Sequence, residues 1–364
     1  MRVVIVGAGL VGPAIARALA LRGVDVVVVE KGVPGAEASW AAGGILSPLA
    51  ECDDDGPMLR LCLDGLATTR TLAGALKAAG HDVQWIDGGT LDVALDEAAE
   101  ARLKARLQWQ EKAGFVGDAG GRWLDRDGVS AIAPVIGDVR GGAWFPGEAS
   151  LDPRQLFLGL RATAEAAGAT FLRRRVTGVA RQRVVVERDT GDVEHLDGDA
   201  VIVAAGAWTP QVAGADVSAD VVFPVRGQML ELQGPAGAFA PVIFSSKGYV
   251  VPRHDGRVLA GSTMEQAGFE KALTPAGLAR LGGMVQALVP SLQHAPVLST
   301  WAGLRPGTKD GLPLLGQQNN GVWIASGHFR NGVLLAAQTA VLLERALLDD
   351  DDRTLRPFSP TRFA

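Results

Sequence analysis

"MRVVIVGAGLVGPAIARALALRGVDVVVVE", residues 1–30, reads as strand, turn, helix and strand. Val3–Val6 and Val26–Glu30 are short runs of β-branched residues, the pattern of strands buried on both faces in a parallel sheet. Between them Gly7, Gly9 and Gly12 keep a G-x-G-x-x-G spacing that encloses Leu10 and Val11. In such a turn the first glycine permits the tight bend and the second lets a pyrophosphate approach the backbone. The third lets helix and strand pack closely. Pro13 falls in the first turn of the helix Pro13–Arg22, where a missing N–H does no harm. Glu30 ends the second strand, with Lys31 beside it, and is placed to accept hydrogen bonds from a ribose. The stretch predicts a Rossmann-like dinucleotide-binding domain.

Farther along, "DAVIVAAGAWT" (199–209) is an apolar strand running into small residues at Gly206, suited to lie parallel to the first strand and to leave room for a ligand. The intervening texture differs. "GGTLDVALD" (88–96), "VVFPVRGQMLEL" (221–232) and "GYVVPRHDGRVLAGST" (248–263) are short β-rich runs with turn signals such as Asp255-Gly256, the mark of antiparallel hairpins. Residues 98–113 and 275–288 read as helices. The predicted fold class is therefore α/β plus α+β. The Rossmann-like domain takes residues 1–80, 150–220 and 297–364, and an inserted antiparallel-sheet substrate domain takes 81–149 and 221–296. The acidic run 349–352 is expected to end the last helix in solvent.

A chain of 364 residues exceeds the size at which one core keeps growing, which agrees with two domains. A formal charge of −5 offers no basic face for nucleic acid or anionic lipid, so no nucleic-acid partner is expected and small ligands are favoured. Cys52 and Cys62 are too few for a disulfide framework, and no His/Cys spacing suggests a metal. These features point to a reducing, cytoplasmic setting. The apolar N-terminus leads into the glycine turn rather than a cleavage site. No uninterrupted apolar run reaches the length of a bilayer span, so no membrane partner is expected.

Two arginines occupy glycine-rich loops of otherwise small and apolar residues: Arg305 in "WAGLRPGTKDG" (301–311) and Arg330 in "GHFRNG" (327–332). A planar guanidinium can grip a carboxylate with two parallel hydrogen bonds. The alternative for each is a surface ion pair of small energetic consequence.

The order of these motifs, with "ASWAAGGILSP" (38–48), "GGTL" (88–91), "GSTME" (261–265), "GLRPGTKDGLPLLG" (303–316) and "GHFRNGVLLA" (327–336), resembles the D-amino acid oxidase superfamily of flavoproteins. The last two motifs look most like the glycine oxidases of thiamine thiazole synthesis. The resemblance spans residues 1 to about 348. It implies FAD as the dinucleotide, held non-covalently, because Cys52 and Cys62 lie far from the C-terminal cysteine that tethers flavin in some relatives. The implied cofactor residues are Gly7, Gly9, Leu10, Val11, Gly12, Glu30, Lys31, Ser39, Ala41, Ala42, Gly43, Gly44, Val176, Gly206, Gly303, Arg330, Asn331, Gly332, Val333 and Leu334. Arg305 matches the arginine that clamps the substrate carboxylate, with Tyr249 hydrogen-bonding the same group, Arg330 near the same end and Met264 lining the pocket.

The chemistry so implied is hydride transfer from the α-carbon of glycine, a small D-amino acid or sarcosine to flavin N5. Imine is the product and O2 the reoxidant, giving H2O2. No side chain need act as an acid or base, so His328 is expected to pack or hydrogen-bond the cofactor loop. Trp40 is expected in a wall of the cofactor region or in the core. A homo-oligomer is implied as well. Three other readings stay open: a D-amino acid dehydrogenase with a quinone acceptor, the flavin domain of a tRNA wobble-base oxidase, and a non-catalytic flavoprotein scaffold.

Overall fold

Val3, Val4, Ile5 and Val6 are all buried in the strand Arg2–Val6, which pairs in parallel with Asp25–Glu30 on one flank and Ala200–Val203 on the other. The computed structural model describes residues 1–117, 120–188 and 191–363; residues 118, 119, 189, 190 and 364 fall within the domain segments assigned above and lie outside the described residues. The full sheet runs Leu314–Gln317, Trp323–Ser326, Ala200–Val203, Arg2–Val6, Asp25–Glu30 and Thr170–Arg173. Its alternate residues feed two cores. Val3, Ile5, Val26 and Val28 pack with the helices Val11–Leu21, Pro57–Ala78, Pro153–Ala166 and Gly332–Leu348. Val4, Val6, Val27 and Val29 meet Val179, Val184 and Val186 of a three-stranded antiparallel sheet. Burial on both faces explains the unbroken valine runs. The first strand has later strands on both sides, so a crevice opens at its carboxyl end, where Gly7 begins the turn.

The second sheet has eight strands in the order Val297–Thr308, Val222–Gln233, Arg257–Gly261, Gly248–Pro252, Val242–Ser245, Thr90–Ala94, Gly141–Phe145 and Arg122–Leu124. The Asp255-Gly256 signal forms its hairpin: Gly256 has φ +84°, and Asp255 accepts the Arg257 N–H at 3.1 Å. The helix Pro275–Leu288 covers one face, with Leu281, Met284, Val285 and Leu288 against Leu230, Val250, Val258 and Ala260. On the opposite face Met229, Val251 and Leu259 cluster with Tyr249 and Trp301.

One expectation needs correction. The strand Val297–Thr308, assigned above to the nucleotide domain, is the edge strand of the eight-stranded sheet and pairs with Val222–Gln233 along nearly its whole length. Both segments are long and β-rich, and each supplies the other's backbone partners. We propose the boundary near residue 308 instead. The segment Phe329–Leu348 is also long and apolar enough to cross a membrane by length and composition. Here it is a core helix, with Val333–Ala340 buried against Val11–Leu21 and Pro57–Ala78. The acidic run follows this helix as expected, and Asp349 pairs with Arg22 at 3.2 Å.

Gly44 fastens its loop to the segment that precedes the helix Pro153–Ala166. It adopts φ +76°, accepts the Leu151 N–H at 2.9 Å, and a Cβ there would lie 1.9 Å from the Leu151 carbonyl oxygen. Gly44→Ala is expected to lower stability by about 2 kcal/mol or more through strain and backbone clash. A thermal melt unchanged from the parent protein would contradict this.

Candidate active site

No side chain caps the helix Val11–Leu21, so the N–H groups of its first turn await an outside acceptor. Gly7 takes φ +107°, and a Cβ on Gly12 would lie 2.0 Å from the Gly7 carbonyl oxygen, so glycine alone lets the helix start this close to the strand. Glu30 accepts the Ala8 N–H at 2.9 Å and the Gly32 N–H at 2.9 Å, and Ser39 Oγ accepts the Leu10 N–H at 2.8 Å. The turn is thereby rigid before any ligand arrives, while the Glu30 carboxylate keeps lone pairs free for further donors.

This turn forms one part of a cavity of about 490 Å³. From Ser39 the wall continues through Ala41, Ala42, Gly43 and Gly44, and a Cβ on Gly43 would come within 3.3 Å of the Tyr249 ring. Arg253, buried behind this loop, donates to the Gly43 carbonyl at 2.7 Å; burial lowers its pKa to about 10, which leaves it charged at neutral pH. A second uncapped helix, Gly332–Leu348, presents Gly332 and Val333 to the same cavity. Two helix N-termini, an acid at a strand end and walls stripped of Cβ atoms fit a dinucleotide with an anionic diphosphate and a broad ring.

The part of the cavity that carries Arg305 and Tyr249 rests on glycines. Arg305 projects from the edge strand over Gly227, where a Cβ would lie 2.0 Å from Nη1. Tyr249 lies over Gly261 in the same way, at 2.8 Å from the would-be Cβ, and its hydroxyl donates to Met229 Sδ at 3.5 Å. Arg305 Nη2 donates to Ser262 Oγ at 2.6 Å and Nη1 to the Thr263 carbonyl at 3.4 Å. A guanidinium has five N–H donors, so donors remain for a carboxylate. Met264, next in chain, is 60% exposed at the cavity mouth.

Arg330 lines the cavity with Glu51, whose Oε2 lies 3.6 Å from its Nε. Buried groups fix the short helix that carries Glu51. Glu148 accepts the Leu49 and Ala50 N–H groups at 2.7 and 3.0 Å, while Gln110 and Arg106 donate to the Leu49 and Ala50 carbonyls. Burial raises the Glu148 pKa to about 7 against the pull of those N–H groups, and raises Asp92, beside Arg106, to about 6.

Most residues singled out in the sequence line this one cavity: Gly7, Gly9, Leu10, Val11, Glu30, Lys31, Ser39, Ala41, Ala42, Gly43, Gly44, Val176, Gly206, Gly303, Arg330, Gly332 and Val333, together with Arg305, Tyr249 and Met264. Gly12, Asn331 and Leu334 stand outside its lining. Gly12 is spent on helix–strand contact, Asn331 precedes the helix, and Leu334 is buried in the core. Trp40 belongs to neither expected place. It is 41% exposed and stacks on Arg154 at 4.8 Å, with Trp301 also 4.8 Å from that guanidinium. Sequence reasoning missed Glu51, Lys247, Ser262 and Arg280, all in the lining.

His328 also lines the cavity, yet it is buried and its Nε2 shares a hydrogen bond with Thr339 Oγ1 at 2.9 Å. Burial lowers its pKa from 6.5 to about 4, so it stays neutral in the folded protein. Below pH 6.5 the unfolded chain takes up a proton that the folded one refuses. The stability tied to His328 is therefore complete above pH 6.5 and falls as pH drops toward 4, by up to about 3 kcal/mol. Glu148 and Asp92 act in the opposite sense, and their effects cancel when two variants are compared. His328→Gln should lose less stability than the parent between pH 7 and pH 4.5 in denaturant titrations. Identical losses would contradict the assignment.

Residues 2–346 match the family described as FAD dependent oxidoreductase. The chain is 31% identical over 376 residues to glycine oxidase of Geobacillus kaustophilus, covering 99% of this chain and 96% of that protein. It is 34% identical over 352 residues to glycine oxidase of Pseudomonas aeruginosa, covering 94% and 93%. It is also 33% identical over 373 residues to the bifunctional protein ThiO/ThiG of Synechocystis, covering 99% of this chain and 54% of that protein, so it spans about half the length of that relative. The crystal structure of glycine oxidase from Geobacillus kaustophilus superposes with a TM-score of 0.91 at 30% identity, covering 99% of both chains. With a nucleotide cleft, a glycine-cleared arginine and this family match over almost its whole length, the chain belongs to the FAD-dependent oxidoreductases, in the group that contains the glycine oxidases.

Proposed function

We propose that this chain oxidises glycine or another small amino acid, such as a small D-amino acid or sarcosine, to the imine, with O2 as reoxidant and a place in thiamine thiazole synthesis. The observation that carries this reading is the Arg305 guanidinium, lying over Gly227 with donors to spare in the same cavity as the glycine turn. Glycine oxidases among the relatives and the bifunctional ThiO/ThiG protein support the substrate class and the pathway. Both cysteines are unpaired, in keeping with a cytoplasmic enzyme, and we infer a homo-oligomer from the same resemblance.

In this reading FAD would be held by the first-turn N–H groups after Gly9, by Glu30 and by Gly332 and Val333. When bound, FAD supplies the two-electron acceptor, taking the α-carbon hydride and returning the electrons to O2 as hydrogen peroxide. The protein's part is placement. Arg305 grips the substrate carboxylate with two N–H groups and thereby sets distance and angle together. Ser262 and the Thr263 carbonyl hold the other guanidinium edge, so the grip is formed before substrate binds. Tyr249, on the same sheet face as Arg305, lines the cavity beside it and would bond the same carboxylate, and Glu51 restrains Arg330. Neutral His328 holds the loop and takes no proton from substrate at working pH.

Arg305→Ala is expected to raise the apparent KM for glycine at least tenfold, about 1.4 kcal/mol of lost binding, with flavin still bound. Arg305→Lys should recover only part of that loss, because an ammonium cannot form the bidentate pair. Steady-state kinetics that left KM unchanged in the alanine variant would remove the clamp.

A further inference from the structure

Arg305 and Arg330 are not the only cations in the cavity: Lys247, in the turn between Val242–Ser245 and Gly248–Pro252, and Arg280, on the helix Pro275–Leu288, also line it. Both side chains are exposed, and neither has an ion pair or a side-chain hydrogen-bond partner among the described residues. They belong to one built corner. A Cβ on Gly248 would lie 3.4 Å from Met284 Sδ, and Arg280 sits one helical turn before Met284 on the same helix face. The start of that helix is tied to the arginine clamp through Gln228. Its side chain donates to Thr274 Oγ1 at 2.9 Å and accepts the Thr274 N–H at 2.8 Å, and its own N–H goes to Thr263 Oγ1 at 2.9 Å. Thr263 in turn receives Arg305 Nη1.

Nearby carboxylates are already committed. Glu265 is paired with Arg226 and bonded by Gln228, Glu270 accepts the Ala272 N–H, and Glu37 pairs with Lys271 at 2.9 Å. One substrate carboxylate on Arg305 would leave Lys247 and Arg280 without a counter-charge at the exposed edge of the cavity, where salt screens them and low ionic strength does not. We propose that Lys247 and Arg280 form a second anion-binding pole, so that the preferred substrates are amino acids bearing a second carboxylate. This rests on the amino acid oxidation reading above. The second carboxylate can hang from the α-carbon, as in D-aspartate, or from the nitrogen, as in iminodiacetate; the pole recognises the charge common to both.

The test compares each acid with its near-isosteric amide: D-aspartate with D-asparagine, and iminodiacetate with its monoamide. In low-salt buffer kcat/KM for at least one acid should exceed that of its amide by about tenfold, and the preference should shrink with added salt. The double variant Lys247→Ala/Arg280→Ala should lose about tenfold of that preference, and Arg280→Glu should reverse its direction. The pair that shows the effect tells where the second carboxylate is attached. Calorimetric titration of the holoenzyme with succinate and with propionate reads the same pole without turnover: succinate should bind more tightly, and the double variant should not discriminate. Equal handling of acid and amide by the parent enzyme, or a preference that survives in the double variant, would overturn the proposal. Glycine turnover by the parent enzyme is scored separately. Turnover without any acid preference refutes the second pole alone, whereas flavin unreduced by every amino acid refutes the underlying reading and leaves the titration to decide the pole.

Discussion

The pairing of Val222–Gln233 with Val297–Thr308 is the contact on which the remaining architecture depends. It lays Arg305 beside the strand that contains Gly227, and it presses Gly303 against Ala41, where a Cβ would lie 2.5 Å from the Ala41 methyl carbon. One strand therefore touches the wall that continues from the nucleotide turn and also carries Arg305, the arginine proposed to grip the substrate. A register slip of one residue would turn Arg305 to the other face of the sheet and carry Gly227 out from beneath it. The antiparallel ladder between these strands thus sets where Arg305 stands in the cavity as well as adding stability.

The other walls are held by buried charge. Arg253 fastens the Gly43 carbonyl, and Glu148 with Arg106 and Gln110 fastens the backbone of Leu49 and Ala50. Such groups are costly to bury, and removing one partner of a buried charged pair typically costs about 3–5 kcal/mol. Their expense is matched to their place, for each grips a loop that borders the cavity. A loop held in this way keeps the reacting centre dry and positioned, which is most of what a flavin enzyme asks of its protein.

The nucleotide half was readable from local signals. Valine runs with both faces apolar, three spaced glycines and an acid at a strand end each constrain their own neighbourhood, and the parallel partner at Ala200–Val203 follows from the same pattern. The helix Pro275–Leu288 and the Asp255-Gly256 hairpin were readable for the same reason. Arg305 stood out by its glycine-rich loop, but its pairing with Tyr249 came through family resemblance, since nothing in their spacing joins them. What stayed hidden depends on distant parts of the chain. Val297–Thr308 carries no alternation that marks one face, and only its partner decides which sheet it joins. Glu51 lies on a four-residue helix with no periodicity to read, and Arg280 reaches the cavity because its helix docks on Gly248. Trp40 looked like a wall because it sits in a cofactor motif, yet its ring is stacked on Arg154 outside the cavity.

The claim that this cavity performs amino acid oxidation is tested most directly by adding glycine anaerobically to the purified holoenzyme, recording the visible flavin spectrum, and then admitting air. Bleaching of the flavin bands by glycine, followed by prompt recovery in air with formation of hydrogen peroxide, is the predicted result. Flavin that stays oxidised with glycine, D-alanine, D-proline and sarcosine alike would contradict it.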